Sequence, residues 1–130
     1  MNYALRIDLE RPFAEVVGEV RESLAESGFG ILTEIDIKQT LKNKLDVDVD
    51  EQIILGACNP GFAHEGLRTE PSLGLLLPCN VVVRHSAGVT VVEAIDPEMM
   101  VGVTGNPAME PLADKVRASL KAALDRVASN

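Results

Sequence analysis

Cys58 and Cys79 are the residues in this sequence best suited to chemistry. An ionised thiol is both a nucleophile and a ligand for soft metals. Each cysteine is followed by asparagine, in Ala57-Cys58-Asn59-Pro60 and in Leu77-Pro78-Cys79-Asn80. Asn59-Pro60 reads as a helix start, with Asn as the cap and Pro in the first turn. The N–H groups of such a start favour negative charge and would lower the pKa of Cys58. If their strands are sheet neighbours, the two sulfurs approach bridging or co-ligating distance.

Further groups would complete such a site. Asp36 is explained as a helix cap, but Glu34 is not, so Glu34 is either solvent-facing or a base or third ligand beside the thiols. His64 follows Cys58 on the short helix and is either a surface residue or a further ligand. Structural zinc usually takes four Cys or His ligands, and this chain has two of each. His85 lies about 20 Å from Cys79 along an extended strand, so both cannot hold one ion. A site must therefore recruit His64, Glu34 or water around zinc, or hold Cu(I) between two thiolates. The rival readings are a thiol enzyme or redox sensor with Cys58 as nucleophile and Cys79 as resolving partner, and two buried cysteines that only pack. Met99-Met100 has the look of a soft-ligand pair, although methionine in a turn more often fills a gap.

The elements around these residues follow from hydrophobic period. Asn2 to Leu9 alternates as a strand, with Tyr3, Leu5, Ile7 and Leu9 on one face. Pro12 suits a first helical position, and Phe13, Val16, Val17, Val20 and Leu24 continue a helical stripe that Gly28 ends. Gly30 to Ile37 alternates again, placing Ile31, Thr33, Ile35 and Ile37 on one side. Asp36 and Gln39 form a capping box for a short helix carrying Ile37, Leu41 and Leu45. Gln52 to Cys58 reads as an inner strand covered on both faces. Leu75 to Arg84 is strand-like with Pro78 at an edge, start or bulge, and His85-Ser86-Ala87-Gly88 turns it back into Val89 to Ile95. Asp96-Pro97 caps a short turn through Met100, and 102–107 reads as loop. Glu110-Pro111 opens a last helix with Leu112, Val116, Leu120, Ala123, Leu124 and Val127 on one stripe. These elements predict an α+β fold, five mostly antiparallel strands with both long helices on one side.

Composition narrows the function classes. At 130 residues the chain fits one domain, 1–130, with a core large enough to need no disulfide or metal. No run approaches the ~20 apolar residues of a spanning helix, and Met1 to Asp8 does not read as a secretion signal. The expectation is a cytoplasmic protein that does not span a membrane. A net charge of −8 and one Tyr with three Phe leave little with which to grip phosphate or stack bases, so nucleic acid is not an expected partner. Nucleophile elbows, dinucleotide fingerprints, phosphate loops and His-Glu-x-x-His motifs are absent from the sequence.

Four blocks together resemble the family called domain of unknown function 302. They are Gly28-Phe29-Gly30-Ile31-Leu32-Thr33-Glu34-Ile35-Asp36, Ile54-Leu55-Gly56-Ala57-Cys58-Asn59-Pro60, Gly74-Leu75-Leu76-Leu77-Pro78-Cys79-Asn80-Val81 and Ala94-Ile95-Asp96-Pro97. The resemblance implies a TBP-like β-α-β(4)-α fold, two helices against a curved antiparallel sheet, and it implies no activity. Glu34, Cys58, Asn59, Cys79, Asn80 and Asp96 carry over as motif positions without assigned roles. The sequence thus leads first to a small binding module, with Cys58, Cys79, Glu34 and His64 around a soft metal ion (zinc or copper) or a small ligand, and Asn59, Asn80 and Asp96 in support. A thiol enzyme, or an interaction protein such as a homodimer joined at a sheet edge, stands beside it.

Overall fold

Alternating and helical periods succeed one another from the start of the chain, and the computed structural model, which describes residues 3–130, forms each in turn. Strand β1 (Ala4–Leu9), helix α1 (Phe13–Glu26) and strand β2 (Gly30–Asp36) come first. Asn2, where the first strand was expected to begin, lies outside the described residues. Helix α2 (Ile37–Leu45), strand β3 (Gln52–Cys58), helix α3 (Pro60–Thr69) and a 3-10 segment over Pro71–Leu76 follow. Strands β4 (Cys79–Ser86) and β5 (Val89–Ile95), helix α4 (Glu98–Thr104) and helix α5 (Glu110–Ala128) complete the order.

The five strands make one antiparallel sheet in the order β1-β5-β4-β3-β2. A tight turn joins β4 to β5, with positive φ at Ala87 (49°) and Gly88 (81°), as a two-residue hairpin of the primed type requires. Helices α1 and α5 pack on each other and on one face of the sheet, here called the inner face. Val16, Val20 and Leu24 of α1 and Leu120, Leu124 and Val127 of α5 meet Leu55, Val81, Val83 and Val92 there. A hydroxyl cross-ties the helices within this apolar layer. Ser23 Oγ donates to the Ala123 carbonyl at 2.6 Å and accepts from Arg126 at 2.8 Å, so the buried serine is satisfied.

Several expectations change in detail. Pro12 occupies the cap position of α1, in extended backbone, rather than its first turn. Half of the expected capping box forms: Gln39 N–H donates to Asp36 Oδ1 at 2.9 Å, while the Gln39 side chain donates onward to Asn43 Oδ1 at 2.8 Å. Yet α2 buries no residue, and Leu45 is 65% exposed. The predicted strand from Leu75 begins only at Cys79, after the 3-10 segment, so Pro78 stands just before a strand start where it removes no ladder hydrogen bond. The expected loop after Gly102 is helical to Thr104.

The largest change is in β2. A register shift between Ile31 and Thr33 puts Ile31 opposite Ala57 but Thr33 opposite Gly56. One extra residue in a strand reverses the side to which the following side chains point. Ile31 therefore packs against the core, while Thr33 and Ile35 turn to the other, outer face. Strand β3, expected to be covered on both faces, buries Leu55 and Ala57 inward and leaves Ile54 part-exposed on the outer face.

Candidate functional site

The thiols sit on neighbouring strands. Cys79 opens β4 opposite Ala57, and Cys58 ends β3 one residue further, opposite Gly30. Both are free. Cys79 is 5% exposed within the core, and that burial, reinforced by the charge Cys58 would carry, pushes its thiol up to about 11. At neutral pH Cys79 is therefore a protonated apolar side chain with very little thiolate to attack or ligate. Around the pair lies a gap lined by Phe29, Phe62, Leu73, Met109 and Leu112, with a volume of about 30 Å³. Small-molecule sites are typically ~300–1,000 Å³. The space accommodates little more than a water.

The other expected members do not converge on the sulfurs. Glu34 pairs with Leu55, three rungs from the Cys58 rung, and its carboxylate meets Arg21 of α1 at 2.5 Å in solvent. Three rungs of strand are ~10 Å. His64 is exposed on α3 and does not line the gap. His85 is exposed in β4. Met100 is buried in the core and Met99 is part-exposed, so they are not a ligand pair. Among the described residues no group of three or more His, Cys, Asp or Glu is placed to hold a metal ion. The expected Cys58/Cys79/Glu34 pocket, its zinc or copper, and the soft-metal or small-ligand partner are thereby overturned. The thiol-enzyme alternative is corrected with them: the two cysteines are free, and no third His, Cys, Asp or Glu among the described residues joins them in a site.

The supporting residues have local structural work. Asn59 Oδ1 accepts from Phe62 N–H at 3.2 Å and so caps α3. Asp96 accepts from Glu98 N–H at 3.0 Å and from Arg117 at 3.2 Å, tying the start of α4 to α5. Asn80 is exposed on the outer face. Two motif asparagines beside two cysteines are thus a helix cap and a surface residue.

The outer face is where the sequence reading fell short. The register sets Ile35 beside Ile54 and Ile54 beside Val82, an apolar row across β2, β3 and β4. Two residues before Val82 on β4, Asn80 lines a groove of about 370 Å³ together with Leu75, Pro78, Ile95, Met99 and Val103. Ile35 is 45% exposed, Val103 62% and Leu75 88%. At Gly56 the face is pinched: a Cβ would come within 2.1 Å of Thr33 Oγ1 and 2.7 Å of Pro78 Cγ.

Toward β1 the same face turns ionic. Arg6 meets Asp8 at 2.7 Å and Glu93 at 3.9 Å, and Arg84 meets Glu93 at 3.0 Å. Val91, the cross-strand partner of both Asp8 and Arg84, is 2% exposed although it belongs to the outer face. The signal for this surface was present in the unbroken runs Val81-Val82-Val83 and Val91-Val92. Consecutive apolar residues in a strand put apolar groups on both faces, and two helices on one side cover only one.

Compared with known proteins, residues 5–127 match the model of a family described as Domain of unknown function DUF302. The fold is similar to the crystal structure of uncharacterized conserved protein DUF302 from Bacillus stearothermophilus, with 30% identity and a TM-score of 0.91. That alignment covers 98% of this chain and 99% of the other. No curated protein matches the chain.

Proposed function

This chain belongs to the DUF302 family, and from that premise we propose that it is a protein-interaction module working through the outer face of its sheet. The observation that carries the reading is the apolar row Ile35, Ile54 and Val82, with the groove beside it, on a face that neither long helix covers. An antiparallel sheet can leave one face in water, but such a face normally alternates to polar residues. A contiguous apolar patch with a polar margin marks a docking surface.

The partner that fits is a flat protein surface, apolar at its centre and of mixed charge at its margin. Arg6 and Arg84 against Asp8 and Glu93 leave that margin without net charge, which gives phosphate nothing to hold. The edge strand is a weaker candidate: β2 carries a bulge and the acids Glu34 and Asp36, features that blunt strand pairing. We take the sheet to curve as in TBP-like folds. The order β1, α1, four further strands and α5, with α2, α3 and α4 as insertions, supports that reading. We also take residues 1–130 to act as one domain in the cytoplasm, a setting compatible with two free thiols.

A photo-crosslinking amino acid in place of Val82, expressed in cells, tests the reading against the same residue in place of Glu22 on the exposed side of α1. The expected result is one discrete heavier adduct from position 82, none from position 22, and its loss when Ile54→Asp is added. Equal adducts from both positions, or none from position 82, would contradict it.

A further inference from the structure

We infer that the partner of the outer face is a second copy of this chain, joined face to face about a two-fold axis; this rests on the interaction reading above. A two-fold interface is isologous, so the patch must complement itself. Apolar patches do so by their nature, and the ionic margin does so by composition. The chain as a whole carries −8, so most of its surface repels a second copy. The cluster of Arg6, Asp8, Arg84 and Glu93 sums to zero and is the outer-face region where two copies meet without that penalty.

Position within the sheet then restricts the axis. The charged residues occupy β1, β5 and one end of β4, and the apolar row runs through β4, β3 and β2. An axis lying across the strands keeps charged columns over charged columns and apolar over apolar. An axis along the strands would place β1 over β2 and bury the arginines against Ile35. Arg6, Glu93, Val82, Ile54 and Ile35 share one rung, so an axis over that rung lays the apolar row on itself and sets Arg6 of one copy diagonal to Glu93 of the other.

The available area is that of a small interface. Five strands spaced ~4.8 Å apart, six residues long at ~3.3 Å each, present roughly 24 by 20 Å before side chains and the groove add their relief. That is roughly 480 Å² of projected area, about 60% of the ~800 Å² per partner of a standard interface, with the side-chain relief and the groove to add to it. Sheets pack face to face at about 10 Å through interdigitating side chains, and isoleucine and valine suit that spacing.

Sedimentation equilibrium of the full chain between ~1 and ~100 µM tests the inference. Twice the chain mass is expected in the micromolar range, with Ile54→Asp and Val82→Arg each weakening association at least ~30-fold while far-UV circular dichroism shows a folded protein. Single-chain mass up to ~100 µM, or a dimer indifferent to both substitutions, overturns it. A chain that sediments as a monomer while position 82 still gives its discrete crosslinked adduct loses the second copy and keeps the docking face. A monomer without that adduct loses both.

Discussion

Leu55 and Ile54 are consecutive residues of β3 with similar side chains, and they live in different environments. Leu55 points into the layer closed by α1 and α5 and is fully buried, whereas Ile54 points to the outer face and stays part-exposed. The inner face is occupied by groups that already have every neighbour they need. Even its most reactive side chain, Cys79, is converted by burial into packing material. The outer face is chemically plainer, yet its apolar groups are left without cover. The lesson is that a reactive residue type does not locate function when burial has silenced it, and an incompletely covered surface is the better guide.

Substitutions at these two positions should separate the faces most strongly. Leu55→Ala is expected to cost about 2–5 kcal/mol through lost burial and a residual cavity. Ile54→Ala should cost less than about 1.5 kcal/mol in dilute solution. Urea unfolding at concentrations low enough to suppress association reads both, and equal losses would erase the distinction.

Cys79 gives the next largest effect. Its folded pKa is raised to about 11 from an ordinary value near 9, so the folded state holds its proton where the unfolded chain releases it. That contribution is complete below pH ~9 and is lost as pH rises through ~11, a decline of about 2–3 kcal/mol. Stability of Cys79→Ala should lack this part of the alkaline decline; parallel pH profiles for the two proteins would show that the thiol is not buried as described.

Gly56 sharpens the comparison from the outer side. Gly56→Ala places a methyl against Thr33 and Pro78 and should cost about 1–3 kcal/mol, because β3 and its neighbours must part. A midpoint in urea within error of the parent would mean that the outer surface gives way freely there. The smallest effect belongs to Glu34→Gln. Its ion pair with Arg21 is solvent-exposed, so a change within about 1 kcal/mol is expected, with no change in thiol reactivity toward a cysteine reagent. Altered reactivity at Cys58 would reconnect Glu34 to the thiols.

Much of the fold was legible in the sequence because periodicity and caps act locally. The stripe from Leu112 to Val127, the Asp36–Gln39 cap and the Asn59 cap all form where residue type and spacing placed them. The antiparallel five-stranded sheet with α1 and α5 on one side followed from the order of those elements. The bulge after Ile31 was not legible, since one extra residue leaves the apolar pattern intact and only the partner strand reveals the slip. That slip is what turned Thr33 and Ile35 outward. The thiol site failed for a related reason. Sequence shows which residues can ligate, but pairing in register decides which of them share a space, and here Glu34 falls three rungs from Cys58.

Ile35 and Val47 are similarly exposed in the isolated chain, at 45% and 41%, but only Ile35 lies on the outer face of the sheet. Methyl NMR with a soluble paramagnetic agent can therefore compare them at high and low protein concentration. Shielding of Ile35, Ile54 and Val82 at high concentration, lost on dilution while Val47 stays broadened throughout, is the expected result. Equal broadening of Ile35 and Val47 at every concentration would contradict an outer face that joins two copies of the chain.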